Sequence, residues 1–167
     1  MIRLGVLAIV LGACGTPPPT WGADAGECMP YTPPGSTDLT SPTISFKTAV
    51  MPVFTKHCSS SVCHGIASSP QGGLFLGAEL AKGSDSEKVY AALVGKPSGQ
   101  LPAMPFVTAG DPMASYLMHK LDSDQCMYQT ACVGGDCLKA MPYDTGALAV
   151  DTRDLVRRWI AQGAPDN

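Results

Sequence analysis

The chain contains the stretch Cys58-Ser59-Ser60-Ser61-Val62-Cys63-His64, in which two thiols and an imidazole lie within seven consecutive residues. At roughly 100° per helical residue, side chains five positions apart point roughly 140° away from each other. Both cysteines therefore cannot face one side of a regular helix. Because the three serines are small, they allow the backbone to bulge, and the stretch predicts a loop between Cys58 and Cys63.

A cysteine pair followed at once by histidine is typical of the attachment site of a c-type haem. The two thiols add across the vinyl groups of the porphyrin as thioethers, and the adjacent imidazole reaches the iron. The common motif has two residues between the cysteines, whereas this stretch has four. We interpret the longer spacing as a variant, with Cys58 and Cys63 as attachment sites and His64 as an iron ligand. The alternative is a local disulfide, or a metal site, with His64 beside it by chance.

The composition indicates one small domain with appendages. The chain has 167 residues, a net charge of −3 and only 15% charged residues, with no run of either sign, so a nucleic-acid partner is disfavoured. Apolar residues make up 45% of the chain, which excludes disorder throughout. The 18 glycines and 15 prolines favour short elements joined by structured loops.

Residues 1–13 have the layout of an export signal, with Arg3 followed by an apolar run too short to span a bilayer. The run ends at Leu11-Gly12-Ala13-Cys14, which resembles the lipobox of bacterial lipoproteins. This resemblance implies cleavage before Cys14 and acylation of its thiol and of the new amino terminus. Several acyl chains anchor a protein stably, at about 0.8 kcal/mol per buried methylene. An ordinary secretory signal near a cysteine is the alternative.

The residue after the lipobox cysteine is Gly15 and not an aspartate. In this respect the chain resembles lipoproteins that are sent to the outer membrane. We therefore expect an exported protein that is lipid-anchored in the cell envelope, at the outer membrane and facing the periplasm. Residues 14–43 are rich in proline and predict a tether between the membrane and the folded domain, 44–167.

Export also explains the other cysteines, because disulfides persist in oxidising compartments. Once Cys14 is assigned to lipid and two thiols to haem, four remain, and they can form two disulfides in three connectivities: Cys28, Cys126, Cys132 and Cys137. Three of the four lie within twelve positions, so at least one bonds back to Cys28 if all are paired. Such a bond would join the tether to the domain.

Hydrophobic periodicity predicts an all-α domain with at most small strand pieces. The expected helices span 44–57 with Pro52 as a kink or late start, 86–94, 111–121 capped by Asp111, and 151–162. A short apolar run bounded by glycines, 72–77, suits an extended piece or small strand. We expect these helices to surround a pocket.

A second axial ligand is sought among the methionines, because a neutral thioether favours ferrous iron and raises the reduction potential. Met141 is the candidate, since it lies in a loop before the last helix, and Met104 is the runner-up. Three others fall on predicted helices and are expected to fill the core or surface: Met51, Met113 and Met118. His119 is predicted to be a solvated surface side chain beside Lys120, and His57 to be carried away from the iron.

An ordered set of motifs resembles the monohaem cytochrome c-like domains of bacterial exported lipoproteins, over about residues 44 to 165. The motifs are Phe46 with Met51-Pro52-Val53-Phe54, Cys58 to Gly65, Gly73-Leu74-Phe75-Leu76, Ala109-Gly110-Asp111-Pro112, Ser115-Tyr116-Leu117, Met141-Pro142, and Trp159-Ile160-Ala161-Gln162-Gly163-Ala164.

The resemblance implies a small cytochrome c-like helical fold with one covalent haem c, in which His64 is the proximal ligand and Met141 the distal ligand. It also implies that the first and last helices cross and pack beside the haem. The chain departs from these relatives in its cysteine spacing, at Tyr143, where they often continue with proline, and in the insert 126–137.

These features predict an electron-transfer protein with redox partner proteins. We expect no substrate-transforming enzyme, because the chain shows no general acid, nucleophile or second haem motif. Aromatic side chains at Phe54, Phe75 and Trp159 are placed near the macrocycle, with ordinary core packing as the alternative. Three other functions are a haem sensor or enzyme with an open distal site, a haem-free disulfide-stapled binding module, and an electron-carrying subunit of a larger complex.

Overall fold

The structure, a computed structural model, describes residues 28–78, 85–143 and 145–167. It contains α1 (Met51–His57), α2 (Ser86–Leu93), α3 (Tyr116–Asp122) and α4 (Val150–Ala161). A π-helical segment precedes α1, and short 3-10 helices lie between the others: Phe46–Val50 (π), Gln71–Gly73, Pro112–Ala114, Gln125–Ala131 and Val133–Gly135. The described residues pair only in isolated β-bridges, such as Val94 with Val107, and form no sheet. The predicted all-α class is confirmed.

The predicted export signal and its lipidated Cys14 lie outside the described residues, as does the tether up to residue 27. Within the part that the structure describes, no helix is both long enough and apolar enough to cross a membrane.

The first helical region begins at Ser45, whose hydroxyl accepts a hydrogen bond from the Thr48 amide. The amide of Met51 bonds to the carbonyl of Phe46, five residues back, in the π-helical pattern. Pro52 has no N–H group and occupies the first turn of α1, where none is needed. The predicted late start at Pro52 is thus present, as a change from π-helix to α-helix.

The core forms where this first region packs against α4. Phe46 stacks on Trp159 with 5.0 Å between ring centroids, and Tyr90 of α2 meets Phe46 edge-on at 5.4 Å. Trp159 and Phe54 are fully buried, and the Trp159 indole donates to the Pro165 carbonyl at 3.0 Å. Core packing accounts for both aromatic residues, and the predicted contact between the first and last helices is present.

The predicted helix over 111–121 is wrong in one respect, because Ser115 has an extended conformation (φ −114°, ψ 109°) that divides it. Asp111 caps the first piece as predicted, accepting from the amides of Met113 and Ala114. The Ser115 hydroxyl donates to the Asp111 carbonyl at 2.7 Å and accepts from the Thr108 amide at 2.9 Å. These local side-chain bonds compete with helix, so α3 begins only at Tyr116.

Two disulfides are formed, Cys28–Cys126 and Cys132–Cys137, and the predicted return bond to Cys28 is among them. The Tyr31 amide donates to the Asp124 carboxylate at 2.9 Å. Further along, the side chain of Gln162 donates to the carbonyls of Thr40 and Pro42. The second half of the predicted tether, 28–43, is therefore held against the helical domain.

Candidate functional site

The Cys58–His64 loop follows α1 directly, and the Cys58 amide bonds to the Phe54 carbonyl at 2.8 Å as the helix ends. Within the loop, the Cys63 amide donates to the Ser60 carbonyl at 3.0 Å. The buried Ser59 hydroxyl lies 2.8 Å from the Leu76 carbonyl. The predicted break of helix between Cys58 and Cys63 is confirmed, and Ser59 fixes the bulge to the core.

The turn closes tightly at Gly65, whose amide donates to the Ser60 carbonyl at 3.0 Å. A β-carbon built on Gly65 would overlap the Ser59 carbonyl oxygen and lie 2.8 Å from that of Ser60. Only glycine fits here without a backbone shift, so Gly65 allows the loop to return toward α1.

His64 is held by the segment predicted as an extended piece or a small strand. This segment begins as a 3-10 helix (Gln71–Gly73) and continues as extended backbone from Leu74. Its Nδ1 atom lies 2.8 Å from the Leu74 carbonyl oxygen. Because a carbonyl can only accept, Nδ1 carries the proton and the lone pair of neutral His64 is on Nε2. Burial favours the neutral ring and lowers the pKa of His64, although the backbone carbonyls of Leu74 and Gln71 act in the opposite direction.

The two cysteines of the loop have no disulfide partner, whereas the other four cysteines of the described residues are paired. The local Cys58–Cys63 disulfide considered above is therefore not formed. Burial, together with the neighbouring Cys63, raises the pKa of Cys58 to about 12, so this thiol is protonated at neutral pH. Among the described residues, no three His, Cys, Asp or Glu side chains converge as ligands for a metal ion.

The structure places Met141 in a loop on the surface of α3, half-buried, with its amide donating to the Lys120 carbonyl at 2.8 Å. It lines a small surface pocket with Ser123, Lys139 and Gly146. Met104 packs beside a second apolar cluster around Tyr116 and the Cys132–Cys137 disulfide. The three methionines that were expected to fill the core or surface do so. Met51 and Met118 are in the core, and Met113 is exposed.

The prediction for His119 is wrong, because this side chain is buried rather than solvated. Its Nδ1 lies 2.8 Å from the Asp124 carboxylate and its Nε2 lies 2.9 Å from the Met113 carbonyl. Burial alone lowers the pKa of His119, but these two hydrogen bonds and the Asp124 charge outweigh it and raise the pKa. With both ring nitrogens donating, His119 has no lone pair for a metal. His57 is half-buried at the end of α1.

Lys120 is a residue that the sequence did not single out. Its side chain is buried, and Nζ donates to the carbonyls of Cys137 and Lys139, both at 2.6 Å. Burial lowers the pKa of Lys120 to about 8, although Asp136 acts in the opposite direction. Lys120 follows the buried Tyr116 by four residues and so shares its face of α3, a signal that could have predicted its burial.

Lys120 also contacts the loop of one predicted ligand, because its backbone carbonyl accepts a hydrogen bond from the Met141 amide. Its positive charge is the smallest of the causes that act on the pKa of His64, and it lowers that pKa.

Comparison of the chain with protein-family models, with curated proteins and with solved structures finds no match. The interpretation of the site therefore depends on its residues and their geometry. Two thiols without a disulfide partner and an imidazole oriented through its Nδ1 atom form the donor set that covalent haem attachment requires, so these residues fit a c-type haem.

Proposed function

We propose that the protein is an electron carrier of the cell envelope, with one haem c bound through thioethers to Cys58 and Cys63. The observation that carries this proposal is the His64–Leu74 hydrogen bond of 2.8 Å, beside two thiols that have no disulfide partner. Histidines that bind metals usually donate their other ring N–H to a carbonyl or carboxylate, which fixes the tautomer and the orientation of the ring. His64 has this arrangement.

Bound haem would supply a one-electron couple between ferrous and ferric iron. His64 and Met141 would hold the iron, and the thioether of Met141 would raise the reduction potential. Two apolar side chains near the imidazole are exposed, Val62 at 78% and Ile66 at 43%, and could contact a planar apolar ring or a partner. We propose that redox partner proteins bind near this edge, while a lipid on Cys14 keeps the carrier at the outer membrane.

The proposal is tested by export from cells that attach haem covalently, followed by a haem stain on a denaturing gel. We expect the wild-type chain to stain and the Cys58→Ala/Cys63→Ala variant to be colourless. The matched control is Cys132→Ala/Cys137→Ala, which removes two cysteines of the same domain and should still stain. A wild-type protein without covalent colour, or equal staining of the Cys58/Cys63 variant, would contradict the proposal.

A further inference from the structure

We propose that Lys120 is a positioning residue that fixes the segment 137–141 on α3 and so determines how Met141 is presented to the iron. This inference rests on the proposed function. Lys120 itself does not bind the cofactor in this account. It acts through the backbone of the loop that carries the distal ligand.

Lys120 makes hydrogen bonds to every second residue of this segment, three residues in all. Its Nζ atom donates to the carbonyls of Cys137 and Lys139 at 2.6 Å, and its own carbonyl accepts the Met141 amide at 2.8 Å. One residue in the middle of a helix thus holds five consecutive loop residues through both its side chain and its backbone.

The position of the charge is informative because burying an ammonium is costly unless its donors are satisfied. Lys120 is only 7% exposed, and none of the ion pairs among the described residues includes it. The two loop carbonyls are therefore its principal hydrogen-bond partners. Backbone carbonyls in an irregular segment in turn lack the regular partners of a helix or sheet.

Other attachments of this loop lie upstream of Met141. Cys137 is held by its disulfide to Cys132 and by the Tyr116 hydroxyl, which donates to its carbonyl. The Gln125 side chain donates to the Leu138 carbonyl at 3.2 Å. In the part of the chain that the structure describes, Lys120 alone makes hydrogen bonds to residues 139–141 from outside the loop. Losing the Nζ donor would leave the bond between the Met141 amide and the residue-120 carbonyl as the one attachment of residues 139–141 from outside the loop among the described residues.

The test compares Lys120→Met with Lys139→Met in the full haem protein. Lys139 is exposed, so its substitution removes an equal charge from the adjacent loop and leaves the hydrogen bonds of Lys120 in place. In Lys120→Met we expect the amides of 137–141 to exchange hydrogen at least tenfold faster, the ferrous protein to bind carbon monoxide, and the potential to fall toward that of Met141→Ala. Lys139→Met should match the wild type, and Lys120→Arg, which keeps several donors, should restore most of the protection.

Unchanged hydrogen exchange in Lys120→Met would contradict the proposal that Lys120 fixes the segment 137–141. Faster exchange with wild-type carbon monoxide binding and potential would overturn its link to Met141. If Lys120→Met does not fold, Lys120→Gln is used, whose amide keeps two N–H donors on a shorter, uncharged side chain, and the same two results decide. A Met141→Ala protein with unchanged potential would remove the distal assignment and this inference with it. Absence of covalent haem in the wild type would instead refute the proposed function. Hydrogen exchange would still test whether Lys120 fixes the segment 137–141.

Discussion

His64 and His119 are both partly or fully buried and both hydrogen-bonded, yet their second ring nitrogens differ. Nε2 of His119 is bound to the Met113 carbonyl, whereas His64 is bound to Leu74 through Nδ1 and its Nε2 makes no hydrogen bond within residues 28–78, 85–143 and 145–167. In His64→Ala we expect covalent haem to remain, since the thioethers are intact, but the absorption spectrum and potential to change. His57→Ala is the matched control at the end of α1. A His64→Ala spectrum equal to that of the wild type would exclude His64 as a ligand.

The His119–Asp124 pair predicts a pH-dependent stability. Because the folded-state pKa of His119 is raised above 6.5, its contribution is complete below that pH and is lost as the pH rises through the folded pKa. Asp124→Asn should lower the unfolding free energy by about 1.5–3 kcal/mol at pH 5.5, and by less at pH 9. Urea unfolding at several pH values measures this difference, with exposed Asp151→Asn as the control. A loss that does not shrink as the pH rises would contradict the pairing.

Gly65 gives a residue-level test of the loop geometry. A β-carbon at Gly65 meets backbone atoms of Ser59 and Ser60, which cannot rotate away. We expect Gly65→Ala to destabilise the fold by about 1–3 kcal/mol, as overpacking does, and to reduce haem attachment. Gly35→Ala, where no atom lies within 4 Å, is the control and should be nearly neutral. Chemical denaturation and haem yield are the measurements, and normal values of both in Gly65→Ala would refute this geometry.

At the scale of elements, the two disulfides differ in the length of chain that they close, 98 residues for Cys28–Cys126 and 5 for Cys132–Cys137. The chain-entropy relation gives a stabilisation of roughly 4.7 kcal/mol for the long loop and roughly 2.1 kcal/mol for the short one. Replacing both cysteines of the long bond by alanine should therefore lower the unfolding free energy more. Replacing those of the short bond should change the reduction potential more, because that bond precedes Met141.

Denaturant unfolding and redox titration of the two double variants separate these effects. A larger loss of stability from the short disulfide, or a larger change of potential from the long one, would reverse the roles assigned here.

The sequence predicted the elements whose signals are local. The apolar periodicity of α4, the Asp111 cap and the break of helix after Cys58 follow from neighbouring residues, and the structure has all three. The spacing from Tyr116 indicates that Lys120 is buried, but the hydrogen-bond partners of His119 and Lys120 could not be predicted in this way. Asp124, Cys137 and Lys139, which satisfy their buried polar groups, come from loops whose position the chain's periodicity does not encode. The Leu74 carbonyl that orients His64 could not be predicted for the same reason.

At the scale of the whole molecule, a buried charge cluster joins the amino-terminal segment to α3 and α4. Asp122 accepts from Arg153 at 2.7 Å and from Arg157 at 2.9 Å, and the ring of Tyr31 lies against both guanidinium groups, 4.5 and 5.0 Å from their central carbons. The carboxyl-terminal Asn167 closes the other end, accepting from the Phe46 and Lys47 amides. The Cys58–His64 loop thus belongs to a domain that holds both the segment from residue 28 onward and the carboxyl-terminal residues against its helices.

The central claim, covalent haem on this domain, is tested most directly by mass spectrometry of the exported protein after digestion with trypsin. No lysine or arginine lies between His57 and Lys82, so one peptide, 57–82, contains both thiols and His64. We expect this peptide to carry the mass of one haem, with no free thiol at Cys58 or Cys63. An unmodified 57–82 peptide, or one with a Cys58–Cys63 disulfide, from cells that attach haem to other proteins would contradict the account.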